Sequence, residues 1–208
     1  SFYIDTKFTD SLAGRKRIFQ LYPLSFNEFL TFKKQEIVNH EITYMVSEPS
    51  YVSQYQVNIK AHLMEYLTYG GYPAVVLEDD KSEKRQILNE LKNSYLRRDI
   101  IESGVDKESK FMTMVQLMAD QAGNLINKNE LGNTIGLDNK TVERYTYILE
   151  KCFHIDLLKP FHKNLRKELT KMPKIYFNDI GLRNAILNRF DLPITRSDKG
   201  ILFESFIY

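Results

Sequence analysis

The chain has 208 residues, 43% of them hydrophobic and 27% charged, with 29 Lys+Arg against 27 Asp+Glu for a formal net charge of +2. That composition excludes a disordered chain, and no window approaches the roughly eighteen uninterrupted apolar residues that a membrane-spanning helix needs. A single cysteine, Cys152, excludes an internal disulfide and fits a reducing cytosol. No basic-then-apolar leader follows Ser1, so the expected location is cytoplasmic.

Residues 1–30 begin strand-like at "SFYI", continue through the polar "DTKFTDSLAGRKR", and return to an apolar run, "IFQLYPL", closed by Pro23. Strand, polar helix and strand are pieces of an α/β unit, too short here to complete a sheet. Ser25, with Glu28 at the capping-box position, predicts a helix through Phe26, Phe29 and Leu30. Residues 31–105 read as helical. Ile59, Leu63 and Leu67 share one helix face, and "YGGYP" stops that helix with Gly70, Gly71 and Pro73. Asp80, boxed with Glu83, opens the next helix on the stripe Ile87, Leu91 and Tyr95, which closes at Gly104. Phe111, Val115, Met118 and Ala122 carry a third helix from about Glu108 to Ala122, stopped by Gly123. Its methionines read as gap-fillers of a core rather than as a ligand groove.

The stretch from Asn124 to Asp179 is the most informative. Asn127 caps a short helix, with Glu130 three residues on, Leu131 and Ile135 at helical spacing, and Gly136 as a left-handed stop. Asp138 caps a second helix whose apolar stripe is Val142, Tyr145 and Leu149. "FHIDLLKP" and "KIYF" read as two strands joined by a basic loop. Two helices around a glycine turn, followed by a hairpin, predict a winged helix-turn-helix. The plainer alternative is two packed helices beside an unrelated hairpin. Residues 124–175 hold 10 Lys+Arg against 6 Asp+Glu, a surplus of four, whereas residues 1–123 hold 15 against 17. The positive charge thus gathers where a polyanion would dock.

The nine glycines never form a phosphate-binding loop or a dinucleotide fingerprint. Cys152, His154 and His162 are close in sequence, but their spacing is a poor match to a metal site, and no metal is expected. On the second helix the positions opposite the apolar stripe are Asn139, Lys140, Glu143, Arg144 and Tyr147. Asn139 and Arg144 are of types that read base edges, while Lys140 and Tyr147 are of types that hold phosphates. Glu143 is discordant on such a face. The loop from Lys159 to Lys174 adds Lys163, Arg166, Lys167 and Lys171. Arg97, Arg98 and Asp99 either pair across elements or sit as surface charges. Asp179 reads as the cap of the helix "GLRNAIL", and Glu204 is left open as a carboxylate of a metal site.

The order of "SLAGRKRIFQLYPLSFNEFL", "YGGYPAVV", "YLRRDI", "LGNTIGLDNKTVERYTYILEKCFHIDLLKPF", "KELTKMPKIYFNDIGLRNAIL" and "GILFESFIY" resembles a large prokaryotic family of predicted AAA-type ATPases. Members of that family look like a P-loop ATPase, a helical lid, a winged helix and a C-terminal domain similar to restriction-endonuclease-like folds. The resemblance implies a mainly α chain with small β. It would comprise a remnant of the ATPase module at 1–30, a lid-like region at 31–105, a winged helix at 106–178 and the start of a truncated nuclease-like domain at 179–208. Arg15, in "AGR", would then either sense the phosphate of a nucleotide or sit solvated beside Lys16 and Arg17. The phosphate loop would lie upstream of Ser1 and the rest of the nuclease-like core beyond Tyr208. The segment is therefore expected neither to hydrolyse ATP nor to cut DNA, with ATP and Mg implied only for the parent protein. Its expected partners are double-stranded DNA and the remaining domains of its own chain. The alternative is a protein-protein coupling module that links the ATPase to its C-terminal domain or to a partner.

Overall fold

A computed structural model of the chain describes residues 20–161 and 171–208. In chain order these form α1 (Phe26–Phe32), α2 (Glu36–Ser47), α3 (Gln56–Tyr69), the single turn α4 (Pro73–Val76), α5 (Lys81–Glu102), α6 (Glu108–Asp120), α7 (Lys128–Ile135) and α8 (Asn139–Lys151). Strands β1 (Ile155–Leu158) and β2 (Lys174–Phe177) follow, then α9 (Ile180–Leu187), a 3₁₀ turn at Pro193–Thr195, and α10 (Lys199–Ile207). The fold is mainly helical, with one small antiparallel sheet. The expected strand at "SFYI" and the basic cluster that follows lie outside the described residues, and residues 20–24 are in neither helix nor strand.

The chain divides into two compact units. One joins Pro23–Leu91 to Asp179–Ile207; the other holds Lys92–Asn178 with the described residues up to Tyr22 and the terminal Tyr208. The first half of α5 belongs to the former and its second half to the latter.

In the discontinuous unit, Ser25 and Glu28 cap α1 reciprocally: Glu28 N–H donates to Ser25 Oγ, and the Ser25 N–H donates to the Glu28 carboxylate at 2.8 Å. Phe26, Phe29, Leu30, Val38 and Val76 are buried together, with Ile59, Leu63, Tyr66 and Phe206 packed against them. Each such side chain stabilises the fold by about 1.5–3 kcal/mol through removal of apolar area from water. The segments distant in sequence meet at the end of α3. Leu67 is buried with Ile180 and Leu202, and Asn184 donates to the carbonyls of Leu67 and Thr68 at 3.0 and 2.9 Å.

Asp179 is the N-cap of α9, and it also grips the glycine turn that ends α3. Its Oδ1 accepts from Leu182 N–H at 2.6 Å and its Oδ2 from Gly71 N–H at 2.7 Å. The site is fully buried. Burial pushes the Asp179 carboxyl up to about 6, against the lowering effect of the N–H groups of Gly71, Leu182 and Gly181. Backbone approaches so closely here that a Cβ at Gly181 would collide with the Tyr69 carbonyl oxygen. A second polar cluster anchors the far end of α9. The Asp198 carboxylate meets Arg196 at 2.7 Å and Arg183 at 3.0 Å, and these guanidiniums hold it down to about 2 although burial opposes ionisation.

In the helix–hairpin unit, α6 buries Phe111, Val115 and Met118 of the stripe read from the sequence, with Met114 beside them, while Ala122, the fourth of that stripe, is buried just past the helix end. Phe111 meets Tyr145 of α8 edge-on, with ring centroids 5.2 Å apart. The strands pair antiparallel with Ile155 opposite Phe177 and Leu158 opposite Lys174. The other edge of β2 is also occupied. Gly123 N–H donates to the Ile175 carbonyl at 2.7 Å, Ile175 N–H to Asn124 at 3.2 Å, and Ile126 N–H to Pro173 at 2.9 Å, so residues 123–126 lie beside β2 as a third, bridge-length edge.

Candidate nucleic-acid interface

Asn127 caps α7 by accepting from the N–H groups of Asn129 and Glu130. The helix stops at Gly136, whose φ of 67° and ψ of 47° are left-handed, a conformation that costs residues with a Cβ. Lys110 of α6 donates to the Gly136 carbonyl at 2.5 Å and ties down the turn. Asp138 then caps α8, accepting from Thr141 Oγ1 at 2.6 Å and Thr141 N–H at 3.0 Å. These bonds hold its carboxyl below the ordinary range.

The period of 3.6 residues sorts α8 into two faces. Val142, Tyr145, Ile148 and Leu149 are each 1% exposed or less, whereas Asn139, Lys140, Glu143, Arg144 and Tyr147 are exposed. The exposed side chains are not equally available. Arg144 Nη2 donates to the Ser103 and Gly104 carbonyls at 3.0 and 2.6 Å, and Nη1 lies 3.6 Å from Asp106. Asn139 Nδ2 donates to Glu143 at 3.4 Å. Tyr147 is half exposed, with the Lys151 ammonium 5.6 Å from its ring centroid. Lys171 is exposed just before β2. Lys163, Arg166 and Lys167 of the connecting loop lie outside the described residues, as does Arg15.

Beneath this surface is a pair for which the sequence leaves two readings open. Asp99, on the second half of α5, is 1% exposed, and its Oδ2 lies 2.5 Å from Nε2 of His154, itself 4% exposed. The paired alternative therefore holds for Asp99. Arg97 and Arg98 are exposed, Arg98 lying 3.7 Å from the same carboxylate. His154 is thus a core histidine held by a carboxylate. Among the described residues no group of three or more His, Cys, Asp or Glu is placed to hold a metal ion, and His162 lies outside them. The cap reading of Asp179 is the one observed, and Glu204 is an exposed residue of α10.

The discontinuous unit has a cavity of about 930 Å³ lined by Lys33, His62, Glu65, Tyr69, Lys84 and Phe190, among others. Three of its polar groups, Lys33, Glu65 and Lys84, are matched to one another. Glu65 Oε1 takes Lys33 at 2.9 Å and Lys84 at 3.3 Å, and Lys84 also donates to the Val75 carbonyl at 2.6 Å. Burial lowers the Lys84 ammonium, with Glu65 opposing. This network explains why a lysine only 2% exposed is tolerated. It is a structural knot that period and spacing did not reveal.

A mainly helical chain with a small two-stranded sheet is the class these features define. The chain belongs to the family described as a domain of unknown function (DUF8612), whose model matches residues 60–192. An uncharacterized protein of Haemophilus influenzae is 27% identical over 184 residues, covering 86% of this chain and 42% of the relative. Two uncharacterized proteins of Methanocaldococcus jannaschii are 25% and 22% identical over 95% and 94% of this chain, which spans 42% and 43% of their lengths. The chain thus spans less than half the length of the curated relatives it matches. No solved structure matches it. Among the described residues no helix is long and apolar enough to cross a membrane.

Proposed function

We propose that this chain is a non-catalytic segment of a cytoplasmic AAA-type ATPase, and that α6 to β2 form a winged helix that binds double-stranded DNA. The observation that carries the reading is the order of parts. Helix α6, the edge at 123–126, the capped pair α7–α8 around a left-handed Gly136, and the β1–β2 hairpin follow one another. In that order α8 occupies the recognition position, and its solvent face is the one that carries Asn139, Lys140 and Tyr147. The charge surplus of residues 124–175 supports the same reading. The greater length of the relatives leaves room for the ATPase and nuclease-like domains, to which ATP and Mg would belong.

Fluorescence anisotropy of the chain with a labelled 20-base-pair duplex across a salt series tests the reading. Removing a cation that neutralises one phosphate should flatten the slope of log K against log salt by about one. The double change Lys140→Ala and Lys171→Ala should therefore weaken binding to every duplex and flatten the slope by about two. If no duplex binds near physiological salt, or the double variant keeps the parent slope, the unit is a protein-protein coupling module instead.

A further inference from the structure

We infer that this surface holds duplex DNA by its phosphate backbone and does not read base sequence, an inference that rests on the DNA reading above. Base readout needs side chains whose donors and acceptors are available in pairs, with Arg on guanine and Asn on adenine as the common solutions. The face of α8 has one of each, and the protein uses both internally. Arg144 spends Nη2 on two carbonyls, Ser103 and Gly104, at the end of α5, while Nη1 faces Asp106. Those carbonyls lie just past Glu102, where α5 ends, and so have no place in its i to i−4 ladder. A guanidinium there satisfies them and complements the negative end of α5. Withdrawing Arg144 to a base would leave them bare.

Asn139 turns one amide N–H toward Glu143 at 3.4 Å, and Glu143 sets a negative charge in the middle of the face beside it. Among the described residues, Lys140 and Tyr147 stand outward with a phosphate-binding role, with Lys171 before β2. An ammonium is a point charge on a flexible stem and does not provide the bidentate geometry that tells one base pair from another. Arg144 is accordingly a positioning residue, fastening α8 to the end of α5.

The test pairs affinity with discrimination. The chain is titrated by anisotropy onto a panel of unrelated 20-base-pair duplexes, including one selected from a randomised library and its scrambled counterpart. Dissociation constants are expected within about threefold of one another, since one bidentate base contact alone would separate sites by roughly 5- to 150-fold. Arg144→Lys keeps a cation able to reach the two carbonyls but removes the fork. It should leave both the spread across the panel and the salt slope unchanged, while Arg144→Ala lowers the melting temperature. A selected duplex bound more than tenfold tighter than its scramble, with the preference lost in Arg144→Lys, would overturn the inference while leaving DNA binding intact. Absence of binding to any duplex near physiological salt sinks the DNA reading and this inference with it.

Discussion

Asp179 gives the sharpest prediction for pH. Its carboxyl is fully buried and raised to about 6 from 3.8, so the folded chain holds a proton that the unfolded chain releases. The folded value is the raised one, so this group's contribution to stability is complete below pH 3.8 and is lost as pH climbs toward 6. A difference of roughly two in pKa corresponds to a penalty on the order of 3 kcal/mol at neutral pH. Asp198, held down to about 2, works in the opposite sense, but only below its unfolded value of 3.8. Between pH 4 and 6 the partly buried Glu150 and Asp156 add contributions of the same sign, and Glu28, Glu65 and His62, all lowered in the fold, add contributions of the opposite sign, so the effect of Asp179 is read as a difference from a non-titrating variant. Urea unfolding followed by circular dichroism at half-unit steps across that interval measures the effect. Asp179→Asn provides the reference, since Asn does not titrate and the contributions of other groups cancel in the difference. The variant loses one acceptor, because an amide presents N–H₂ to either Gly71 or Leu182, so it is less stable throughout. The gap between it and the parent should nonetheless narrow by about 2–3 kcal/mol between pH 4 and 6. A constant gap, or an Asp179 carboxyl carbon that titrates near 3.8 by NMR, would refute the reasoning.

Two further outcomes follow from geometry. Gly136→Val places a β-branched residue at a φ of 67°; it should lower stability by about 1–2 kcal/mol, read as a lower midpoint in denaturant, and an unchanged midpoint would mean that the turn relaxes without strain. Asp99→Ala leaves His154 buried without its hydrogen-bond partner, which should cost about 1–3 kcal/mol, while His154→Ala with Asp99→Ala together should cost less than the two single changes summed, as a double-mutant cycle would report.

Local chemistry was legible in the sequence because caps and stops act over three or four residues. Ser25 with Glu28, Asn127, Asp138, Asp179 and Gly136 each sit where their side-chain or backbone preference puts them. The stripe Val142, Tyr145 and Leu149 was likewise readable, since one period fixes one face. What escaped depends on partners far apart in sequence. Asp99 and His154 are 55 positions apart, and nothing near Asp99 distinguishes it from its exposed neighbours Arg97 and Arg98. Arg144 falls on the outward face by period, but its carbonyl partners lie 40 and 41 positions back, so sequence marked it as a base reader without revealing its tether. Lys84 is polar at a core position, and its burial is intelligible only once Glu65 and Val75 are beside it. The linear order of segments also concealed that residues after Asp179 complete the core begun by residues before Leu91.

That interleaving has a consequence for synthesis. A ribosome releases Pro23–Leu91 first, yet Leu67 acquires Ile180 and Leu202, and Tyr69 and Val75 acquire Ala185, only after all of Lys92–Asn178 has been made. At ~5–20 residues per second the delay is on the order of 4–17 s, far longer than helix formation or collapse takes. During that time the first segment carries unfinished apolar surface, while the inserted stretch can already fold around Phe111 and Tyr145. Vectorial translation thus makes the discontinuous unit the late one. A truncated chain ending at Asn178 and released from the ribosome should leave residues 23–91 sensitive to protease while the inserted stretch resists it.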